Sequence, residues 1–141
     1  MHMLTANEYA LLAELAKAYR DAHLSSMKQK SDWNPRLGVD ALCFQHYSAE
    51  YLVGALITPC ELWSVGMPQP SVKTESMAET LTLSLPSGAY RLLHERLPGG
   101  YQLYKRAILG DLSELESMQE AAKLAQQMMA RLMQPAEVPS V

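Results

Sequence analysis

The stretch from Leu52 to Trp63 constrains the fold most. Residues 52–57 are all apolar or small, a Thr58-Pro59 step follows, and Cys60, Glu61, Leu62 and Trp63 close the run. A continuous apolar run ended by proline reads as a core strand that must stop or bulge at residue 59. Pro59 has no N–H for a sheet ladder, and it biases Thr58 towards extended backbone. Cys60, Glu61 and Trp63 are thereby left near a sheet end or edge.

Around that strand the chain reads as helix, strands, helix. Thr5 and Glu8 have the spacing of a capping box, and the following Ala/Leu/Glu/Lys-rich segment predicts an amphipathic helix to about Lys28. Leu12, Leu15, Tyr19, Ala22 and His23 share one stripe of it. His23 is read as a boundary histidine, because no second His, Cys or carboxylate lies three or four residues away. Residues 31–35, Ser-Asp-Trp-Asn-Pro, are turn chemistry with Trp33 folding back onto the core. Val39–Gln45 alternates, with Val39, Ala41 and Cys43 opposite Leu42 and Phe44. A short connection then leads into residues 50–58, which predicts an antiparallel hairpin.

Beyond Trp63, Gly66, Pro68 and Pro70 predict an irregular or edge segment over 64–71, and the polar run 72–79 a mobile loop. Thr80–Leu85 alternates strictly and places Leu81, Leu83 and Leu85 inward. Strands over 89–96 and 101–109 follow, separated by a turn at Leu97-Pro98-Gly99-Gly100. Ser113 and Glu116 have a second capping-box spacing. Leu115, Met118, Ala122, Ala125, Met129 and Leu132 then form a helical stripe to about Met133. The expectation is an α+β domain over residues 1–134. About five antiparallel strands are flanked by N-terminal and C-terminal helices that share one face, and a disordered tail spans 135–141.

Charge and motif content narrow the function classes. The chain has 141 residues and a net charge of −3, which lacks the basic footprint of a general nucleic-acid binder. No apolar run approaches the length of a membrane span, and the N-terminus has no signal-peptide pattern, so the expected location is the cytoplasm. No phosphate loop, CxxC, HxxxH or HExxH is present, so no cofactor or metal is expected. Cys43 and Cys60 fall in adjacent predicted strands and read as two small buried hydrophobes. A small redox or metal protein using both thiols is the alternative they leave open.

The lack of any catalytic or metal-binding pattern points to binding. Nine methionines include Met118, Met128, Met129 and Met133 on the last helix, of which Met128 and Met133 are the better candidates for exposure to a varied apolar peptide. The step from Pro59 to Trp63, with Glu61, Glu50 and Asp111 near it, offers aromatics and carboxylates to a peptide carrying apolar residues and arginines.

Several short motifs follow one another along the chain. They are Asn34-Pro35-x-Leu37-x-Val39-x-Ala41-x-x-Phe44, Leu52-Val53-Gly54-x-Leu56-Ile57-Thr58-Pro59, Leu85-Pro86-x-Gly88-x-Tyr90, then Gly100-Tyr101 and an Ala-rich closing helix. From about residue 34 to residue 130 the chain resembles the [NiFe]-hydrogenase assembly chaperones of the HybE/HupJ type. The resemblance implies a non-enzymatic chaperone that holds the hydrogenase small-subunit precursor with its twin-arginine leader, and also the large-subunit precursor, before export. Thr58, Pro59, Gly88 and Tyr101 carry over as motif positions. Glu61, Trp63, Asp111 and Met128 are added from the residues themselves. The sequence departs from the family at Cys60, where a tryptophan is usual, and at Ile108–Leu112, where a Ser-Pro-Met-like segment is usual. Those two places are expected to be partner contacts, which leaves open a binding module of the same fold with a different client.

Overall fold

The computed structural model describes residues 4–69 and 78–135. The elements are α1 (Ala6–Lys28), β1 (Asp40–His46), β2 (Tyr51–Ile57), β3 (Glu61–Pro68), β4 (Thr80–Leu85), β5 (Gly88–Arg96), β6 (Gln102–Gly110) and α2 (Met118–Leu132). The strands form one antiparallel sheet in the order β1-β2-β3-β6-β5-β4. Most of the expected 72–79 loop and of the 135–141 tail lies outside the described residues.

The sheet has six strands, and the one added to the expectation is β3. Gly66 and Pro68 suggest an irregular run, yet Glu61–Pro68 pairs on both sides, with β2 and β6. Pro68 is the last residue of the strand, where a missing N–H costs little. Gly66 sits close under β4: a Cβ there would lie 3.0 Å from Leu81 Cδ2, so a side chain would need that methyl to give by a few tenths of an ångström. Residues 52–63 are therefore a hairpin: β2, a tight Thr58–Cys60 turn, then the start of a sheet-interior strand. Thr58 shapes the turn. Its Oγ1 accepts from the N–H groups of Cys60 (3.2 Å) and Glu61 (2.8 Å) and donates to the Glu61 carbonyl (3.0 Å).

The apolar run of β2 is covered on both faces. Leu52 and Leu56 pack with α1 residues Leu12, Leu15, Ala16 and Tyr19, while Ala55 and Ile57 pack with α2 residues Ala121, Ala125, Met129 and Leu132. The helices thus occupy opposite faces of the sheet rather than sharing one. A strand without an alternating pattern demands this, because each face must be kept from water. Burying one such leucine contributes about 2 kcal/mol.

β1 departs from simple alternation. A bulge between Leu42 and Gln45, with Cys43 at φ 59°, puts Ala41 and Phe44 on the α1 side and Leu42 and Cys43 on the α2 side. The sheet also curls. The Tyr47 hydroxyl in the β1–β2 loop accepts from the Ser84 N–H of β4 at 2.9 Å, and Val53, Leu83, Leu92 and Tyr104 form a third cluster inside the curl.

Capping decides the helix starts. Thr5 and Glu8 make both bonds of the expected capping box, at 3.1 and 2.8 Å. The second helix begins later than the Ser113–Glu116 spacing suggests. Its cap is Ser117, whose hydroxyl accepts from Glu120 N–H at 3.2 Å. Residues 112–115 are diverted because the buried Asn34 amide donates to the carbonyls of Leu112 (2.9 Å) and Leu115 (2.8 Å). The Asn34 N–H donates to the Pro59 carbonyl at 3.0 Å, so one residue ties the β2–β3 turn to the approach of α2.

Candidate functional site

Two clefts lie along one flank of α1. The smaller, about 220 Å³, is lined by Tyr19, His23, Ser26, Met27, Lys30, Thr58, Glu61, Trp63 and Lys105. The larger, about 580 Å³, lies between α1 and the β5–β6 turn and is lined by Glu14, Lys17, Ala18, Asp21, Ala22, Pro98 and Tyr101. Helical periodicity explains why one flank serves both: Glu14, Ala18 and Asp21 share a face with Ala22 and Ser26 of the following turns.

A polar network built on Tyr19, His23 and Lys105 lines the smaller cleft. The Lys105 ammonium lies 2.6 Å from Glu95 Oε1 and donates to the Tyr19 hydroxyl at 3.0 Å. The same ammonium sits 4.2 Å from the centroid of the Trp63 ring and 5.0 Å from that of Tyr19. His23 Nε2 lies 2.6 Å from Glu95 Oε2, which accepts, and the His23 ring stacks on Tyr19 at 4.4 Å. Burial pushes the Glu95 carboxyl up, but the bonds from Lys105 and His23 outweigh it and hold the group below its ordinary range. Burial likewise works against the charge on Lys105, and its bonds to Glu95 and Tyr19 raise its affinity for the proton nonetheless. Burial raises the Tyr19 hydroxyl.

At the mouth of the smaller cleft, Lys30 Nζ donates to Glu61 Oε1 at 2.6 Å, and this bond raises the Lys30 pKa. The Lys30 side chain is 47% exposed and that of Glu61 20%. An ion pair open to water on one side contributes only about 0.5 kcal/mol.

The structure gathers only part of the expected set. Thr58, Glu61 and Trp63 line the smaller cleft together. Pro59 is buried in the turn behind them. Asp111 follows Gly110, the register partner of Glu61, and is exposed at φ 56°. Bonds from the Ser113 hydroxyl (2.5 Å) and N–H (3.2 Å) lower its pKa. Tyr101 belongs to the larger cleft, where its hydroxyl donates to Glu14 Oε2 at 3.1 Å and is raised by that bond. Gly88 opens β5 at φ 147°, next to Ser87, whose N–H donates to the Leu132 carbonyl at the C-terminal end of α2. Met128 and Met133 are half-buried against the α2-side core.

Glu50 does not join the site. It sits at the other end of the β2–β3 hairpin, where its carbonyl accepts from Gln69 N–H, about 25 Å along the strand from Glu61. Cys60, expected to be a contact, is 0% exposed, and its Sγ points to the Met27 carbonyl at 3.7 Å. The residue there shapes the seat of the α1 C-terminus instead. Both cysteines are free thiols, and burial raises both. Among the described residues no group of three or more His, Cys, Asp or Glu side chains could hold a metal.

The sequence pattern does not single out Lys105, Glu95, Lys30 or Tyr19 as site residues. Lys105 carries a legible signal, since it alternates in phase with Leu103 and so points inward. Glu95 pairs with partners 10 and 72 residues away, a spacing no local pattern encodes.

The family described as [NiFe]-hydrogenase assembly, chaperone, HybE matches residues 10–141. The solution structure of HybE from Escherichia coli is similar in fold, with a TM-score of 0.68 and 24% identity, covering 93% of this chain and 82% of that one. No curated protein matches the sequence.

Proposed function

The chain belongs to the HybE family of [NiFe]-hydrogenase assembly chaperones, and on that premise we propose that it holds the hydrogenase small-subunit precursor by its twin-arginine leader before export. The observation that carries this reading is the α1 flank. Carboxylates of Glu14, Asp21 and Glu61 border two clefts whose walls also present Ala18, Ala22, Pro98 and Trp63. A leader with two guanidinium groups beside an apolar stretch needs that combination. Glu14 and Asp21 are two helical turns apart, about 10 Å, a span that adjacent arginine side chains can bridge.

In this proposal the chaperone works in the cytoplasm, performs no catalysis and uses no cofactor. It covers the precursor until the enzyme's own cofactor is in place, and the large-subunit precursor is a second client. The reading agrees with the architecture: a rigid sheet carries the clefts, and no helix among the described residues is long and apolar enough to cross a membrane.

A different client on the same fold is the competing reading. Exposed Leu109 and Asp111 favour it, because they stand where the family usually has another segment. The test is capture of small-subunit precursor by immobilised chain, with the leader and without it. Enrichment that depends on the leader supports the proposal. Enrichment of neither form refutes it.

A further inference from the structure

The smaller cleft already holds cations of the chain's own, and they reveal what it is built to bind. At its floor the Lys105 ammonium lies between the Tyr19 and Trp63 rings with Glu95 as counter-ion. At its mouth a second ammonium, that of Lys30, is held by Glu61. The two positions differ in permanence. Lys105 is 17% exposed, satisfied by two partners and anchored within β6. Lys30 lies just past the C-cap of α1, its side chain is 47% exposed, and Glu61 is the side-chain partner it holds.

Two independent sources of negative potential meet at the mouth. One is the Glu61 carboxylate. The other is the negative end of the α1 dipole, which the last turn brings to the cleft wall at Ser26 and Met27. Thr58 fixes the Glu61 backbone, so the carboxylate is presented on a rigid turn. The Trp63 side chain supplies an aromatic wall beside it. A planar guanidinium exploits such a place better than an ammonium. It bonds a carboxylate through two parallel N–H groups and stacks on an indole, whereas Lys30 offers Glu61 one bond.

We propose that the Glu61–Trp63 cleft is a subsite for a single arginine side chain of the client, and that Lys30 is an internal placeholder which that arginine displaces. The inference rests on the reading of this flank as the client-binding face. It adds that the free protein competes with its own client through Lys30. Lys105 remains in place as the floor, paired with Glu95.

The test uses the full chain labelled with 15N and titrated with L-argininamide and L-lysinamide at low salt, read at the amides of Lys30, Glu61 and Trp63. Argininamide should bind saturably, at least about threefold tighter than lysinamide. Glu61→Gln should weaken it at least about tenfold, since a charge-assisted bidentate contact is lost. Lys30→Met should tighten it about threefold, because the competing ion pair is gone. Equal binding of the two amides, or weaker binding by Lys30→Met, overturns the inference. The same variants in the precursor pull-down separate the two levels. Undiminished capture by Glu61→Gln overturns the subsite and leaves the chaperone reading standing. Failure of the unmodified protein to capture precursor overturns that reading, and the argininamide titration decides the subsite by itself.

Discussion

Replacing Gly54 by alanine should destabilise the fold through one identifiable collision. Gly54 lies in the middle of β2 on the α1 side, opposite the bulge of β1. The bulge lays Phe44 across it. A Cβ added at Gly54 would stand 2.4 Å from Cγ and Cδ1 of the Phe44 ring and 2.8 Å from the Phe44 backbone. The ring could rotate away at some loss of packing, but the backbone could move only by shifting β1. Overpacking that reaches the backbone belongs at the upper end of its usual range, about 3 kcal/mol. For a domain of this size that lowers Tm by about 10 °C. Thermal unfolding followed by circular dichroism measures it. Phe44→Leu in the same chain removes the collision with the ring and leaves the one with the backbone, so the double variant should recover about 1 kcal/mol relative to additivity. A Tm for Gly54→Ala within about 2 °C of the parent, or strictly additive behaviour of the pair, would refute this view of the bulge.

Three further outcomes follow from the ionisable groups. Glu8 has its pKa lowered to about 2, first by the Thr5 backbone N–H, then by the Gln69 side chain and by His46. Its contribution to stability is complete above its ordinary value of 4.5 and is lost as pH falls through about 2. Glu8→Gln should therefore flatten the stability profile between those limits in acid titrations of urea unfolding. Lys105→Met leaves the mostly buried Glu95 with His23 as its ion-pair partner among the described residues and should cost about 2 kcal/mol by urea denaturation. Lys105→Met with Glu95→Leu should cost less than the sum of the singles. A thiol reagent on the native protein should leave Cys60 unmodified and label Cys43 slowly, because burial disfavours both thiolates. Rapid labelling of both would revive a redox role.

Local patterns made most elements legible. The Thr5–Glu8 box, the alternation of Thr80–Leu85 and the β1–β2 hairpin are each written within a few residues of sequence. What escaped depends on distant partners. β3 looked irregular because Gly66 and Pro68 are judged by local propensity, whereas pairing with β2 and β6 overrides it. The opposite placement of the helices was implicit in Leu52–Ile57, whose lack of alternation calls for cover on both faces. The later start of α2 depends on Asn34, 78 residues from the Leu112 carbonyl that it binds. The same holds for the site. Thr58, Glu61 and Trp63 are neighbours in sequence and stay together, whereas Tyr101, Gly88 and Met128 scatter to other parts of the fold.

Leu52–Trp63 thereby changes character: the proline marks a turn between two sheet strands, and the cleft opens at the start of the second. The claim that the client lies along this flank of α1 is tested most directly by hydrogen–deuterium exchange of the chain with and without the small-subunit leader peptide. Slowed exchange confined to residues 14–30, 58–63 and 101–106 is the expected result. Protection centred on α2, or no protection anywhere, would overturn the claim.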